Sequence, residues 1–206
     1  MLSAKDTILK KIRQALNHPV PLPFPEAEVD AEIFAYSHND LAVLFAEEFA
    51  KLQGKFLYCA EKDELKQQLQ ALILQMGWTK IFCSDPQFQD LLQSISISTT
   101  PNLKTAEAAI TGCEFLVART GSLMLSSAQT DGRTASVYAP VHICIAHSRQ
   151  LVLNIEDALK AMKQKYAGKL PSFVTLASGP SRTADIEKTL VTGVHGPKEV
   201  FCFMLD

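Results

Sequence analysis

The chain has 206 residues, of which 47% are hydrophobic and 20% charged, and its formal net charge is −2. This length suits one globular domain with a substantial core. The nearly balanced charge, without a run of Lys or Arg, argues against duplex nucleic acid as a partner, and the apolar stretches stop short of the roughly 20 residues of a membrane span. These features predict a cytoplasmic protein that binds neither nucleic acid nor membrane.

The chain opens with an amphipathic pattern. Apolar residues recur at helical spacing from Ile8 to Leu16, which predicts a helix over residues 3–17. Four prolines follow within the next ten residues, and they predict an extended linker because proline fixes φ and removes a backbone donor. We therefore expect a helix and Pro-rich linker over residues 1–25 and an α/β domain over residues 26–206. The helix would be an arm that packs on this domain or on a neighbouring subunit.

Short apolar runs and amphipathic helices then alternate to the end of the chain. Strands are predicted at 55–60, 80–84, 115–120, 122–127, 172–178, 199–206 and the start of 141–153. Helices are predicted at 40–53, 61–76, 85–95, 154–168 and 183–192, with Asp85 and Asn154 as N-caps. The alternation predicts an α/β fold with a mainly parallel sheet covered on both faces. Two successive strands around Gly121 predict a local antiparallel hairpin.

The five cysteines stand singly, and four of them lie in or beside apolar, strand-like runs. Buried, reduced thiols are the simplest interpretation of this pattern. Iron–sulfur clusters are typically held by about four clustered thiolates, so no cluster is predicted in this chain. Metal-ligand spacings and the common nucleotide-binding and hydrolase motifs are also missing from the sequence.

Polar segments after predicted strands are the candidates for a binding site, because ligands of open α/β sheets bind beyond the carboxyl ends of strands. The first segment is Thr120-Gly121-Ser122, which is otherwise only a turn. The second is the loop after residue 127, where Arg133 would bind a carboxylate or phosphate through two hydrogen bonds or would simply be a solvated surface residue.

The third candidate segment surrounds the start of the helix predicted at 183–192. Free backbone amides there, together with the Arg182 guanidinium, would favour an anion. Asp185 and Glu187 in the first turn would instead satisfy the helix dipole themselves. His195 follows the helix as a possible proton carrier or an ordinary loop residue. The three segments predict a ligand-binding set of Thr120, Gly121, Ser122, Arg133, Ser178, Gly179, Ser181, Arg182, Thr183, His195 and Gly196.

Four stretches, "VARTGSLMLSS", "GRTASVYAPVHICIA", "IEDAL" and "SGPSRTADIEKTLVTGVHGPKE", resemble the lactate-utilisation protein C family, whose members carry a LUD domain. The resemblance is close over residues 100–206, and the N-terminal half matches only in the order of its elements. The residues that match the family blocks are Thr120, Gly121 and Ser122, then Gly132, Arg133, Pro140 and His142, and finally Gly179, Pro180, Ser181, Arg182, Thr183, Asp185, Glu187, His195, Gly196 and Pro197.

The resemblance implies a Rossmann-like domain of the NagB/RpiA/CoA-transferase group. It also implies two partners, an iron–sulfur protein and a cysteine-rich protein, which together with this chain support oxidation of L-lactate to pyruvate. The iron–sulfur cluster is expected in a partner, and no cofactor is predicted on this chain. Arg119 departs from the acidic residue that many LUD domains have before Thr-Gly, which argues against acyl transfer through a carboxylate at that position.

Three functions stay open on the sequence. The first is a component of the lactate-utilisation system that binds a small anionic ligand or its partner subunits. The second is a stand-alone sugar-phosphate isomerase or an acyl- or CoA-transfer enzyme of the same fold, for which Asp131, Asp185 and Glu187 are candidate carboxylates. The third is a scaffolding module that docks through its N-terminal helix.

Overall fold

The computed structural model describes residues 3–17, 40–131, 133–183, 191–193 and 195–206. The helices in these ranges are α1 (Ala4–Leu16), α2 (Leu41–Lys51), α3 (Lys62–Met76), α4 (Pro86–Ser94), α5 (Ala135–Tyr138) and α6 (Ile155–Lys165). The strands are β1 (Lys55–Cys59), β2 (Ile81–Phe82), β3 (Thr99–Thr100), β4 (Ala108–Thr111), β5 (Phe115–Val117), β6 (Ser122–Ser126), β7 (Val141–His147), β8 (Leu151–Val152), β9 (Val174–Ala177), β10 (Arg182–Thr183), β11 (Val191–Thr192) and β12 (Glu199–Leu205).

Helix α1 confirms the predicted N-terminal helix and belongs to a unit separate from the α/β body. Ser3 caps it by accepting a hydrogen bond from the Asp6 backbone N–H at 3.2 Å, while the Asp6 carboxylate accepts one from the Ser3 N–H at 3.2 Å. None of the residues of α1 is buried. The predicted linker and the domain boundary after residue 25 lie outside the described residues.

A six-stranded, wholly parallel sheet forms the centre of the α/β body, which confirms the predicted fold class. Its strand order is β1-β12-β7-β4-β2-β3. The central strands β7 and β12 are buried along nearly their whole length, because both faces of the sheet are covered. Helices α3 and α4 cover one face, where Leu69 and Leu92 pack against Ile143 and Phe203.

The opposite face is covered by α2 and by a second sheet that the sequence did not predict. This sheet has the order β8-β5-β6-β9, and its β5–β6 pair is the predicted antiparallel hairpin. Leu123 and Leu125 point towards the main sheet, whereas Met124 packs on the outer side against α6. Successive side chains of β6 point to opposite faces of its sheet, and both faces are buried.

The capping predictions are confirmed in both helices. The Asp85 carboxylate accepts a hydrogen bond from the Gln87 backbone N–H at 3.0 Å, at the start of α4. Asn154 is the N-cap of α6, and its own N–H donates to the Asp157 carboxylate at 2.9 Å. Both helices therefore begin where the local sequence places them.

The helix predicted at 183–192 is wrong at both ends. Residues Arg182–Thr183 and Val191–Thr192 form two short strands that pair antiparallel, and residues 184–190 lie outside the described residues. The structure therefore assigns Thr183, Val191 and Thr192 to strands, where the sequence predicts helix.

Candidate functional site

The predicted ligand-binding residues lie in three separate places, and the first is the end of helix α2. A Cβ added to Gly121 would lie 2.5 Å from the Phe49 backbone nitrogen, and one added to Gly179 would lie 2.5 Å from the Leu52 carbonyl oxygen. Both glycines also have positive φ, at 54° and 78°. Their lack of a side chain lets two turns approach α2 closely, so their presence is explained without a ligand.

Polar side chains from the same two turns reinforce this contact. The Arg182 Nη2 donates to the Leu52 carbonyl oxygen at 2.8 Å, where a cation suits the partial negative charge of the end of α2. Ser122 Oγ lies 2.8 Å from Thr120 Oγ1 and 2.7 Å from Ser178 Oγ. These contacts bind the hydroxyls to one another and the guanidinium to the protein backbone.

The second place is the amino edge of the main sheet. Ser181 donates its N–H to the Pro197 carbonyl at 2.9 Å and accepts from the Gly193 N–H at 3.0 Å. A cavity of about 440 Å³ lies beside these turns, and its lining includes Tyr138, Pro140, His195, Gly196 and Lys198. The cavity holds two of the predicted residues, His195 and Gly196, next to the first residues of β7 and β12.

Arg133 lies in the third place, where its guanidinium donates to Ser172 and stands 6.0 Å from the centre of the Phe173 ring. His142 is buried beneath α5, with its Nε2 2.8 Å from Thr111 Oγ1. Because Thr111 Oγ1 donates to the Gly112 carbonyl at 2.9 Å, it accepts from the Nε2–H of His142. Gly132 lies outside the described residues.

The predicted site residues lie in separate places for a topological reason. The candidate segments do follow strands, but those strands are β5, β6 and β9 of the second sheet. The carboxyl ends of the parallel strands are followed instead by residues 83–85, 112–114 and 148–150. The general rule for open α/β sheets therefore points to another part of the molecule.

A crevice opens at this carboxyl edge between β2, β4 and β7. The chain leaves β2 towards α4 on one face of the sheet and leaves β4 towards the second sheet on the other, so the crevice lies at a topological switch point. Its polar lobe has a volume of about 400 Å³, and its lining includes Asp85, Gln129, His147, Arg149 and Lys165. An adjoining lobe of about 330 Å³ shares Gln87, Phe88, Ile145 and His147 with it.

Glu114 anchors one wall of this carboxyl-edge crevice. Its buried carboxylate accepts hydrogen bonds from Ser126 Oγ at 2.6 Å, Tyr166 Oη at 2.9 Å and Lys165 Nζ at 2.7 Å. Burial by itself would raise the pKa of Glu114, but the bonds from Lys165, Ser126 and Tyr166 outweigh it, and the pKa lies below its ordinary value. Glu114 is therefore ionised at neutral pH and fully engaged.

His147 and Cys113 define the chemistry available at the centre of the crevice. Burial lowers the pKa of His147, and the positive charges of Arg149 and Lys62 lower it further, so the imidazole is neutral at pH 7. A hydrogen bond with Cys144, together with burial, raises the pKa of the Cys113 thiol. The thiol is therefore protonated and a poor nucleophile. The centre of the crevice is therefore better suited to binding an anion than to covalent catalysis.

None of the carboxyl-edge residues is predicted as a site from the sequence. Its pattern predicts Asp85 only as a helix cap and predicts no role for Glu114, His147, Arg149 or Lys165. The signal in the sequence that marks these residues is their position, since they follow directly after three short apolar runs. This signal points to a site only once it is known that residues 115–126 leave the main sheet.

All five cysteines are free and buried, as the sequence predicts. Within the described ranges, no group of three or more His, Cys, Asp or Glu side chains is arranged to hold a metal ion. No helix in these ranges combines the length and apolar character that crossing a bilayer requires.

Comparison with known proteins confirms the predicted resemblance. The model of the LUD domain family matches residues 88–205. An uncharacterised protein of Neisseria meningitidis is 28% identical over 97% of this chain and 92% of its own length. A protein of Bacillus subtilis named lactate utilization protein C is 28% identical over 79% of this chain and 77% of its own length.

Two further comparisons give a more similar but shorter sequence match and a solved structure of similar fold. The lactate utilization protein C of Shouchella clausii is 35% identical, over 49% of this chain and 44% of its own length. The crystal structure of a DUF162 family protein from Deinococcus radiodurans is similar with a TM-score of 0.62 and 18% identity, and covers 84% of this chain and 100% of that one. At this identity the structural likeness supports the fold alone.

Proposed function

Since this chain belongs to the LUD domain family, we propose that it is a component of a lactate-utilisation system and binds a small organic anion in the carboxyl-edge crevice. The relatives named lactate utilization protein C support the physiological role. The observation that carries the site is the position of Arg149 and Lys62 on either side of a neutral, half-buried His147, at a topological switch point. An iron–sulfur protein and a cysteine-rich protein are the proposed partners.

The crevice suits binding better than covalent chemistry. Its carboxylate Glu114 already accepts three hydrogen bonds, and Asp85 already caps α4. A carboxylate nucleophile or base, which the isomerase or acyl-transfer alternative needs, would have to break one of these arrangements first. The guanidinium of Arg149 instead offers several N–H donors in one plane, which match a carboxylate.

A binding experiment with a matched pair of arginine variants tests the site. Calorimetric titration with L-lactate, pyruvate and the uncharged L-lactamide should show binding of the anions only. Arg149→Gln should weaken that binding about tenfold or more, because it removes a charge-assisted contact. Arg182→Gln, at the end of α2, should leave it unchanged. If Arg182→Gln lost binding and Arg149→Gln kept it, the anion site would lie in the segment around Arg182 that the sequence predicts.

A genetic experiment tests the physiological role independently of the site. Deletion of the gene in its own organism should abolish growth on L-lactate but not on glucose, and the intact gene should restore it. Co-purification under anaerobic conditions should recover the iron–sulfur and cysteine-rich partners. Normal growth of the deletion strain on L-lactate would contradict the proposed function.

A further inference from the structure

The carboxyl-edge crevice is larger than a three-carbon acid requires. Its two lobes, of about 400 and 330 Å³, meet at His147, Phe88 and Ile145, which line both. Each lobe alone has the volume of a pocket for a drug-sized molecule, about 300–1,000 Å³. A ligand that reaches from one lobe into the other would therefore be longer than lactate.

The lobes differ in chemical character. The lining of the smaller one includes five apolar side chains, those of Leu65, Phe88, Leu91, Ile145 and Leu205, beside the polar residues Lys62, Lys66, Gln87, Asp90, Ser94 and His147. Four of the five apolar side chains are at most 8% exposed and belong to the core between the main sheet and helices α3 and α4, so their positions are fixed. This apolar lobe offers a preformed surface for a hydrocarbon chain or ring.

Charged side chains of both signs line the crevice: Lys62, Lys66 and Asp90 line the apolar lobe, and Asp85, Glu114, Arg149 and Lys165 line the polar lobe. Lys62 lies at the rim of the apolar lobe and Arg149 at the polar lobe, with His147 between them. The neighbouring charges are largely compensated, because Lys165 pairs with Glu114 at 2.7 Å and Lys66 with Asp63 at 2.9 Å. Within the described part of the chain, neither Lys62 nor Arg149 forms an ion pair. These two cations are therefore available to a ligand.

We propose, building on the function proposed above, that the crevice binds an amphipathic organic acid, with its anionic group between Lys62 and Arg149 and its hydrocarbon part in the apolar lobe. Lactate fills only the anionic subsite. The preferred ligand is consequently a longer organic anion whose head group resembles that of lactate.

Titration of the full-length protein with a series of 2-hydroxy acids tests this proposal. L-lactate, 2-hydroxybutyrate, 2-hydroxyhexanoate and 2-hydroxyoctanoate share one head group and differ in chain length. Burial of each added methylene should tighten binding about fourfold until the lobe is full. Hexyl phosphate, tested alongside, distinguishes a carboxylate subsite from a phosphate subsite. The amide of 2-hydroxyoctanoate should bind far more weakly than the acid.

Two variants separate the lobes. Leu91→Gln should remove most of the advantage of the long acids and leave the affinity for L-lactate unchanged, since Leu91 lines only the apolar lobe. Arg149→Gln should weaken every acid by a similar factor. Equal affinities across the series in the wild-type protein would overturn this inference while leaving an anion site for lactate intact. Failure of every acid and of hexyl phosphate to bind would overturn the site itself, whereas the growth experiment would still decide the role in lactate utilisation.

Discussion

Replacing Glu114 by glutamine tests whether the buried carboxylate holds the wall of the crevice together. In the wild-type protein one oxygen accepts from Ser126 and Tyr166, and the other accepts from Lys165. An amide oxygen can keep the two hydroxyl donors, but the amide NH₂ then faces the Lys165 ammonium. The variant should therefore lose one charge-assisted hydrogen bond and weaken two others.

The expected magnitude follows from the exposure of the two partners. A hydrogen bond to a charged group contributes about 1.5–3 kcal/mol. The Glu114 side chain is fully buried, but the Lys165 side chain is 55% exposed and can regain hydration. This recovery offsets part of the loss, so Glu114→Gln should lower the free energy of unfolding by about 2 kcal/mol. For a domain of this size the melting temperature should fall by about 4–8 °C.

Urea unfolding monitored by circular dichroism measures the effect, with Glu156→Gln as the matched control. Glu156 forms an ion pair with Lys160 in which both side chains are largely exposed, so its replacement should cause no measurable change. The folded-state pKa of Glu114 is lowered, so its stabilising contribution is full above the unfolded pKa of about 4.3 and is lost as the pH falls through the folded value. Equal stability of Glu114→Gln and Glu156→Gln at pH 7 would contradict this prediction. It would also be contradicted if the difference in stability between wild type and Glu114→Gln grew below pH ~4.

The remaining predictions also concern stability and use the same urea assay. Gly121→Ala should lower the free energy of unfolding by about 3 kcal/mol or more, because the added Cβ would overlap the Phe49 backbone. Gly77 has a similar φ but open space around it, so Gly77→Ala should lower it by only about 1 kcal/mol. Equal losses in the two variants would mean that contact with α2 does not explain Gly121. Burial lowers the pKa of His142 from 6.5 to about 4, so stability should fall by about 3 kcal/mol as the pH drops across this window, and the fall should be much smaller in His142→Gln. Arg182→Ala should lower stability by about 1 kcal/mol through the lost bond to the end of α2, without changing anion affinity; a change in affinity alone would contradict this.

Much of the fold could be predicted because its helices and central strands carry strong local patterns. The stripe that predicts α3 and the apolar run that predicts β12 both depend on periodicity within one segment. The second sheet could not be predicted in this way. The residues of β6 alternate between two buried faces, and a buried strand of this kind has the same composition in either sheet.

The errors at Thr183, Val191 and Thr192 have a different cause. The segment combines a turn, a good N-cap residue and apolar residues at helical spacing, all of which favour a helix. In the structure Arg182 and Thr183 pair with Thr192 and Val191 instead. Pairing between residues about ten apart, and the contact of Arg182 with α2, are tertiary interactions that override local preference.

The predicted site residues show what a glycine or an arginine in a turn can mean. Gly121, Gly179 and Arg182 have the residue types expected around an anion, yet their contacts are made with the last turn of α2. A backbone that must approach closely requires glycine whether it approaches a ligand or a helix. Arg149 and Lys62 differ because, within the described residues, no ion pair accounts for them, and their charges add to burial in lowering the pKa of the half-buried His147. Both residues are exposed, so a ligand can reach them from the solvent. Arg182 already donates to the Leu52 carbonyl, which is why the carboxyl-edge crevice, rather than the turns around α2, is the place where binding should be measured first.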